Sequence, residues 1–237
     1  METSRERLGP LVHRSVHHGA IAWLVATLQF IGAMIVAQLA WKNPTYSLTQ
    51  NVISDLGNTG CGTFASQDVC SPLHVVFNIS VIVFGLLILL GILLLPTAFP
   101  ARASRSIGLG LFAISAVGAI LVGIFPENTV GALHSLGALL AFVGGGLGLL
   151  VLSGAMLRDT RWDGFRTYTA ISGLVTLVSL VLFVEGSWQW GGLWASLGEG
   201  GIERLIVAPV LLWFLVVSTH LVRIPTFAPP GVRASSD

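Results

Sequence analysis

Six stretches of the chain, residues 20–40, 72–95, 107–125, 130–152, 168–184 and 205–222, contain no Asp, Glu, Lys or Arg. Each is near the length of about 20 apolar residues that a helix needs to cross the hydrocarbon core of a bilayer. Lipid offers no partner to a free backbone N–H or C=O, so runs of this kind fold as helices. The short alternating segments of a membrane barrel are absent from the pattern. The first run is too long for a signal-peptide core and has no evident cleavage site, so it too is expected to be a span. The implied fold is an all-α integral membrane protein, a six-transmembrane-helix bundle. Only 10% of the 237 residues are charged, against about 25% in soluble domains. That excludes a soluble enzyme and a disordered chain. A net charge of +1 leaves no concentrated basic face for nucleic acid.

Arg and Lys in short loops set orientation. Arg5, Arg7 and Arg14 precede the first span, and Arg102 and Arg105 lie between the second and third. Arg158, Arg161 and Arg166 lie between the fourth and fifth, and Arg223 and Arg233 follow the sixth. Lys42 and Arg204 are the two basic residues on the other side, among Asp55, Asp68, Glu127, Glu185, Glu199 and Glu203. The expectation is that both termini are cytoplasmic and that the acidic connections face out, in a prokaryotic plasma membrane. Residues 1–19 form a cytoplasmic segment, 20–223 the membrane domain with an outer loop at 41–71, and 224–237 a disordered tail. Cys61 and Cys70 share that outward loop at short separation, which predicts a disulfide.

Polar groups inside spans are costly unless they face protein or water, so they mark candidate positions. His134 shares a helical stripe with Gly137, Ala138, Ala141 and Gly145, and small residues mark the face where helices approach closely. It should therefore point into the bundle just below the outer surface. His74 and Asn78, four apart, share a face at the same level. Ser172, Thr176 and Ser179 form a further inward stripe, Gln29 reads as packing glue, and Pro209 is a candidate kink. In the outer loop, Asn51-Val52-Ile53-Ser54-Asp55-Leu56-Gly57 mixes residues that want burial with residues that want hydrogen bonds. A segment dipping into the mouth of the bundle satisfies both. Asp55 would then need a donor, with His134, His74 or Arg204 in reach. Glu127 precedes the helix of His134, where the dipole favours an acid, and Glu203-Arg204 should open the sixth span.

Tyr46, the Ile53-Ser54-Asp55-Leu56-Gly57 block, Pro72 with Phe77-Asn78, Phe125-Pro126-Glu127 with His134, and Gly201 with Glu203-Arg204 occur in an order that resembles a six-span family of prokaryotic membrane proteins, domain of unknown function 998. The resemblance covers roughly residues 20–223. It implies the six-span fold and ties Ser54, Asp55, Glu127 and His134 into one motif set, with no established activity. The order is also more distantly similar to DRAM and Frag-type proteins, which implies a link to autophagy or GPI-anchor lipid remodelling. Leu56 stands where DRAM proteins usually carry Thr.

Two readings follow. The favoured one is a membrane protein that binds lipid, or another membrane protein, through a polar cluster of Ser54, Asp55, His74, Asn78, Glu127, His134 and Arg204 at the outer mouth, with Arg204 available for a phosphate. The alternative is a membrane-embedded hydrolase or acyltransferase with Asp55 and His134 as its acid and base. Ser54, next to Asp55 in sequence, reads most simply as a cap. No cofactor is expected. His74, His134, Asp55 and Glu127 are scattered without the spacing of a metal site. The first and last three spans show no repeat, and no charge falls at mid-membrane, which disfavours a transporter.

Overall fold

The computed structural model describes residues 4–65, 67–157, 159–186 and 191–223. The six apolar runs are the helices α1 (Ser4–Ala40), α2 (His74–Leu94), α3 (Ala103–Ile124), α4 (Gly131–Ala155), α5 (Phe165–Gly186) and α6 (Gly191–Arg223). Each is long and apolar enough to cross a membrane. Consecutive helices pack side by side and α6 returns to α1, so the six close into a ring. The residues turned away from it include Leu28, Leu39, Ile79, Leu93, Leu174 and Val181, all exposed. Such a girdle is stable only against lipid.

Two helix limits differ from the apolar runs. α1 is already helical at Ser4, within the stretch drawn as a separate N-terminal segment. α6 is broken at Gly198 and runs unbroken from there to Arg223, so Glu203 and Arg204 lie in the opening turns of the sixth span, slightly ahead of the apolar run. The departure from helical geometry in α6 falls at Gly198 (φ 65°, ψ 173°), not at Pro209. The physical cause is the 47–51 segment: a Cβ on Gly198 or Gly200 would run into the carbonyls of Thr49 or Asn51. The tail expected to be disordered lies outside the described residues.

Without a hydrophobic drive between helices in lipid, association rests on close packing and buried polar contacts. The α3–α4 seam is built that way. A Cβ on Gly118 would stand 2.5 Å from the Ala141 nitrogen and the Gly137 oxygen, and one on Gly144 would stand 2.8 Å from the Leu111 oxygen. Ser115 Oγ donates to the Ala141 carbonyl at 2.7 Å in the same seam. Gly173 of α5 meets the Gly146 oxygen of α4 in the same manner.

The half of the ring nearer the chain termini is filled by aromatics. Trp23 packs edge-on against Phe214 at 4.9 Å and lies 5.9 Å from Trp213. Their indole N–H groups are satisfied, Trp23 by the Ile88 carbonyl at 3.0 Å and Trp213 by Thr169 Oγ1 at 2.8 Å. The opposite half is covered by the 41–73 connection. There Ser54–Gly57 forms a single 3-10 turn, and Gly62–Phe64 (β1) pairs antiparallel with Gln67–Val69 (β2), Gly62 opposite Val69. A two-stranded hairpin this short is marginal alone. The Cys61–Cys70 disulfide closes its base.

The α3–α4 seam should be intolerant of any added side chain. Gly118→Ala is expected to lower stability in detergent by about 1–3 kcal/mol, the range for overpacking a filled interior. Gly110→Ala, on the same helix with nothing within 4 Å of its Cβ, should stay within about 0.5 kcal/mol. Thermal unfolding of the two purified variants measures the difference.

Candidate functional site at the loop end of the bundle

Residues 51–58 enter the ring as the alternation of apolar and polar residues demands. Asn51, Ile53, Asp55, Leu56 and Asn58 are all buried. The segment carries few backbone bonds of its own, chiefly Leu56 N–H to the Ile53 carbonyl and Asn58 N–H to the Asp55 carbonyl, each 3.1 Å. The remaining partners come from the helices and from the connection itself. Asn78 of α2 donates to the Gly57 carbonyl at 2.9 Å, and Ser71 Oγ donates to the Leu56 carbonyl at 2.7 Å. His74 donates through Nδ1 to the Ser71 carbonyl at 2.9 Å. From α6, the Glu203 carboxylate accepts the Ile53 amide hydrogen.

Arg204 is engaged by the loop and by its own helix. One guanidinium nitrogen donates to the carbonyls of Leu48, Asn51 and Gly200 at 2.9, 2.9 and 2.7 Å, and the other to the Tyr46 hydroxyl. It clamps the loop to α6, where the sequence suggested a cation available to a phosphate. Burial pushes the Tyr46 phenol up to about 12 against the opposing pull of Arg204, so it stays neutral and donates to the Val52 carbonyl at 3.3 Å.

The partner of His134 is Ser54. His134, 6% exposed on the first turn of α4, places Nε2 3.0 Å from Ser54 Oγ and Nδ1 2.9 Å from the Phe125 carbonyl. A carbonyl only accepts, so Nδ1 carries the hydrogen and Nε2 presents its lone pair to the Ser54 hydroxyl. Glu203 Oε1 lies 3.4 Å from the same hydroxyl. Ser54 caps no helix: the position before the turn is Ile53, with no side-chain cap.

Asp55 turns elsewhere, accepting from Asn51 Nδ2 at 3.0 Å beside Glu127. Burial first, and then the Asp55 carboxylate, push the Glu127 carboxyl up to about 9. It is therefore a neutral acid at ordinary pH beside an acceptor, rather than an anion on a helix dipole. Its Oε1 and the side-chain amide of Asn58 have no hydrogen-bond partner among the described residues.

Beneath Ser54 lies a cavity of about 100 Å³. Its walls are apolar, among them Phe77, Val81, Phe84, Ala119, Ala138 and Val207, with Ser54, Glu203 and Ser115 as polar points. Sequence reasoning brought Ser54, Asp55, His74, Asn78, Glu127, His134 and Arg204 to this end but missed Glu203 as the buried acceptor. The signal was the run Gly198-Glu199-Gly200-Gly201 ahead of it, since clustered glycines mark close backbone approach. The inward stripe on α5 is buried as expected and stands apart from the cavity lining, Thr176 bonding the Ile206 carbonyl at 3.1 Å.

A ring of six apolar helices capped at one end by a buried polar loop defines a polytopic integral membrane protein. The chain matches the family described as Protein of unknown function (DUF998) over residues 16–220 and belongs to it. No curated protein and no solved structure matches it, so the likeness to DRAM and Frag-type proteins rests on motif order alone.

The Glu127 environment makes stability fall with rising pH. Its folded-state value lies above the ordinary carboxyl value of 4.5, so the native state holds a proton that the unfolded chain has released. That contribution is complete below about pH 4.5 and is lost as the pH rises toward about 9. Glu127→Gln, which keeps the neutral form, should flatten the dependence and gain on the wild type toward the alkaline side. Melting temperatures across that window report the outcome.

Proposed function

We propose that the protein binds a membrane lipid at the level of the outer leaflet. A short apolar segment of the lipid occupies the central cavity, and its polar group meets Ser54, His134 and Glu203. The observation that carries this reading is the cavity itself: apolar walls with Ser54 and Glu203 among the lining, and His134 standing behind Ser54 in hydrogen-bond contact with its hydroxyl. Apolar pockets with a few convergent polar groups are the usual form of a small-ligand site. At about 100 Å³ it is smaller than the roughly 150 Å³ cavity that admits benzene, which suits a few methylenes rather than a whole chain. The ten-to-two basic split supports cytoplasmic termini and an outward loop end in a prokaryotic plasma membrane.

Ala138 lines the cavity, and Ala138→Phe should fill it. A photoreactive acyl lipid is expected to crosslink to cavity peptides of the wild type and about tenfold less to the variant, a loss near 1.4 kcal/mol. Equal crosslinking in both would remove the cavity from the proposal. For the orientation, Cys placed at Lys42 should react with a membrane-impermeant maleimide in intact cells, and Cys placed at Ser104 only after the cells are opened.

A further inference from the structure

The contacts of His134 are those of a base serving a nucleophile. A serine hydroxyl attacks a carbonyl only when a neighbouring base takes its proton, and the base works only when a third group fixes its tautomer. Here Ser54 Oγ and His134 Nε2 are 3.0 Å apart, and the Phe125 carbonyl at 2.9 Å holds the hydrogen on Nδ1. A backbone carbonyl fills the place that a carboxylate takes in a triad. Asp55 is not part of this arrangement, because it faces Asn51 and Glu127 instead.

The proton can be placed in two ways along Glu203, Ser54 and His134. In one, a neutral Glu203 and a neutral imidazole flank a hydroxyl that donates to His134. In the other, a carboxylate and an imidazolium flank a hydroxyl that donates to Glu203. The contact to nitrogen, 3.0 Å, is shorter than the contact to oxygen, 3.4 Å. The neutral arrangement also avoids two charges against an apolar cavity. Both facts place the lone pair of Nε2 on the Ser54 hydroxyl.

We infer that Ser54 is an acyl-accepting nucleophile, with His134 as its general base, and that the substrate is a lipid ester whose acyl carbons enter the cavity beneath it. The inference rests on the lipid-binding reading and adds a covalent step. Ser54 Oγ bonds to the ester carbonyl carbon while its proton passes to His134 Nε2. The ester C–O bond then breaks, the alcohol oxygen leaves with the bonding pair, and it takes the proton from Nε2. Water, or a second alcohol, next gives its proton to Nε2 and attacks the acyl carbon. Ser54 leaves and recovers its proton. Water makes the protein a lipid esterase, and an alcohol makes it a transacylase. Glu203 is a positioning residue: its carboxyl oxygen accepts the Ile53 amide hydrogen and so fixes the turn that carries Ser54.

The test uses the full-length protein in detergent micelles and an alkyl fluorophosphonate, from which a nucleophilic serine displaces fluoride to leave a stable phosphonate ester. The expected result is one adduct, mapped by peptide mass to Ser54 and absent in Ser54→Ala. His134→Gln should slow its formation by about 100-fold or more, the low end of what a positioned general base contributes. A wild type with no adduct on Ser54 overturns the inference, as does an adduct whose rate ignores His134→Gln. If His134→Gln does not fold to a monodisperse protein, the wild-type peptide map decides alone. Crosslinking of the wild type by the photoreactive acyl lipid runs in parallel. Crosslinked cavity peptides without a Ser54 adduct would sink acyl transfer and leave lipid binding standing, whereas failure of both would remove the two together.

Discussion

The bond from the Ile53 amide to the Glu203 carboxylate is the contact on which the loop end of this protein depends. Irregular backbone at membrane depth survives only where protein satisfies its polar groups. The 51–58 segment meets that condition with side chains from three helices: Glu203 and Arg204 of α6, Asn78 of α2, and His134 of α4. Glu203 is 4% exposed, and a buried carboxyl group needs those donors as much as the loop needs an acceptor. Each therefore holds the other in place, and Ser54 stands where the two meet.

The rest of the ring positions that meeting point. Close packing of α3 on α4 through Gly118, Gly137 and Gly144 sets the first turn of α4 beside the end of α3, which brings His134 under the Phe125 carbonyl. Trp23, Trp213 and Phe214 fill the other half of the lumen, and the cavity lies beneath the loop. Charge follows the same division. Asp55, Glu127, Glu203 and Arg204 gather at the capped end, while the lower core is aromatic and aliphatic.

Much of this was legible in the amino-acid order. An apolar run near twenty residues has one solution in lipid, so the six helices followed directly, and the small-residue stripe turned His134 inward before any neighbour was known. The disulfide followed from two cysteines in one loop, and the burial of 51–57 from its mixture of apolar and polar residues. Helix limits were less legible, because hydropathy stops at a charge and a helix does not. Glu203 and Arg204 follow the break at Gly198 closely, Glu203 buried and Arg204 half-buried, so the span opens a little before its apolar run.

What the sequence alone determined was local in origin: the number of spans, their helical form, the covered loop, and the polar residues that had to find partners. Which partners they found was decided by the tertiary structure. Ser54 and Asp55 are adjacent in the chain, yet one faces His134 and Glu203 and the other Asn51 and Glu127. A 3-10 turn sends successive side chains in different directions, and only the ring of helices determines what waits in each. Arg204 gave the same lesson, for its charge suggested a ligand while three oxygens of the protein's own loop and one of α6 occupy it. Composition sets how many polar groups must be satisfied, whereas pairing depends on contacts across up to 158 residues of chain, which no local pattern encodes.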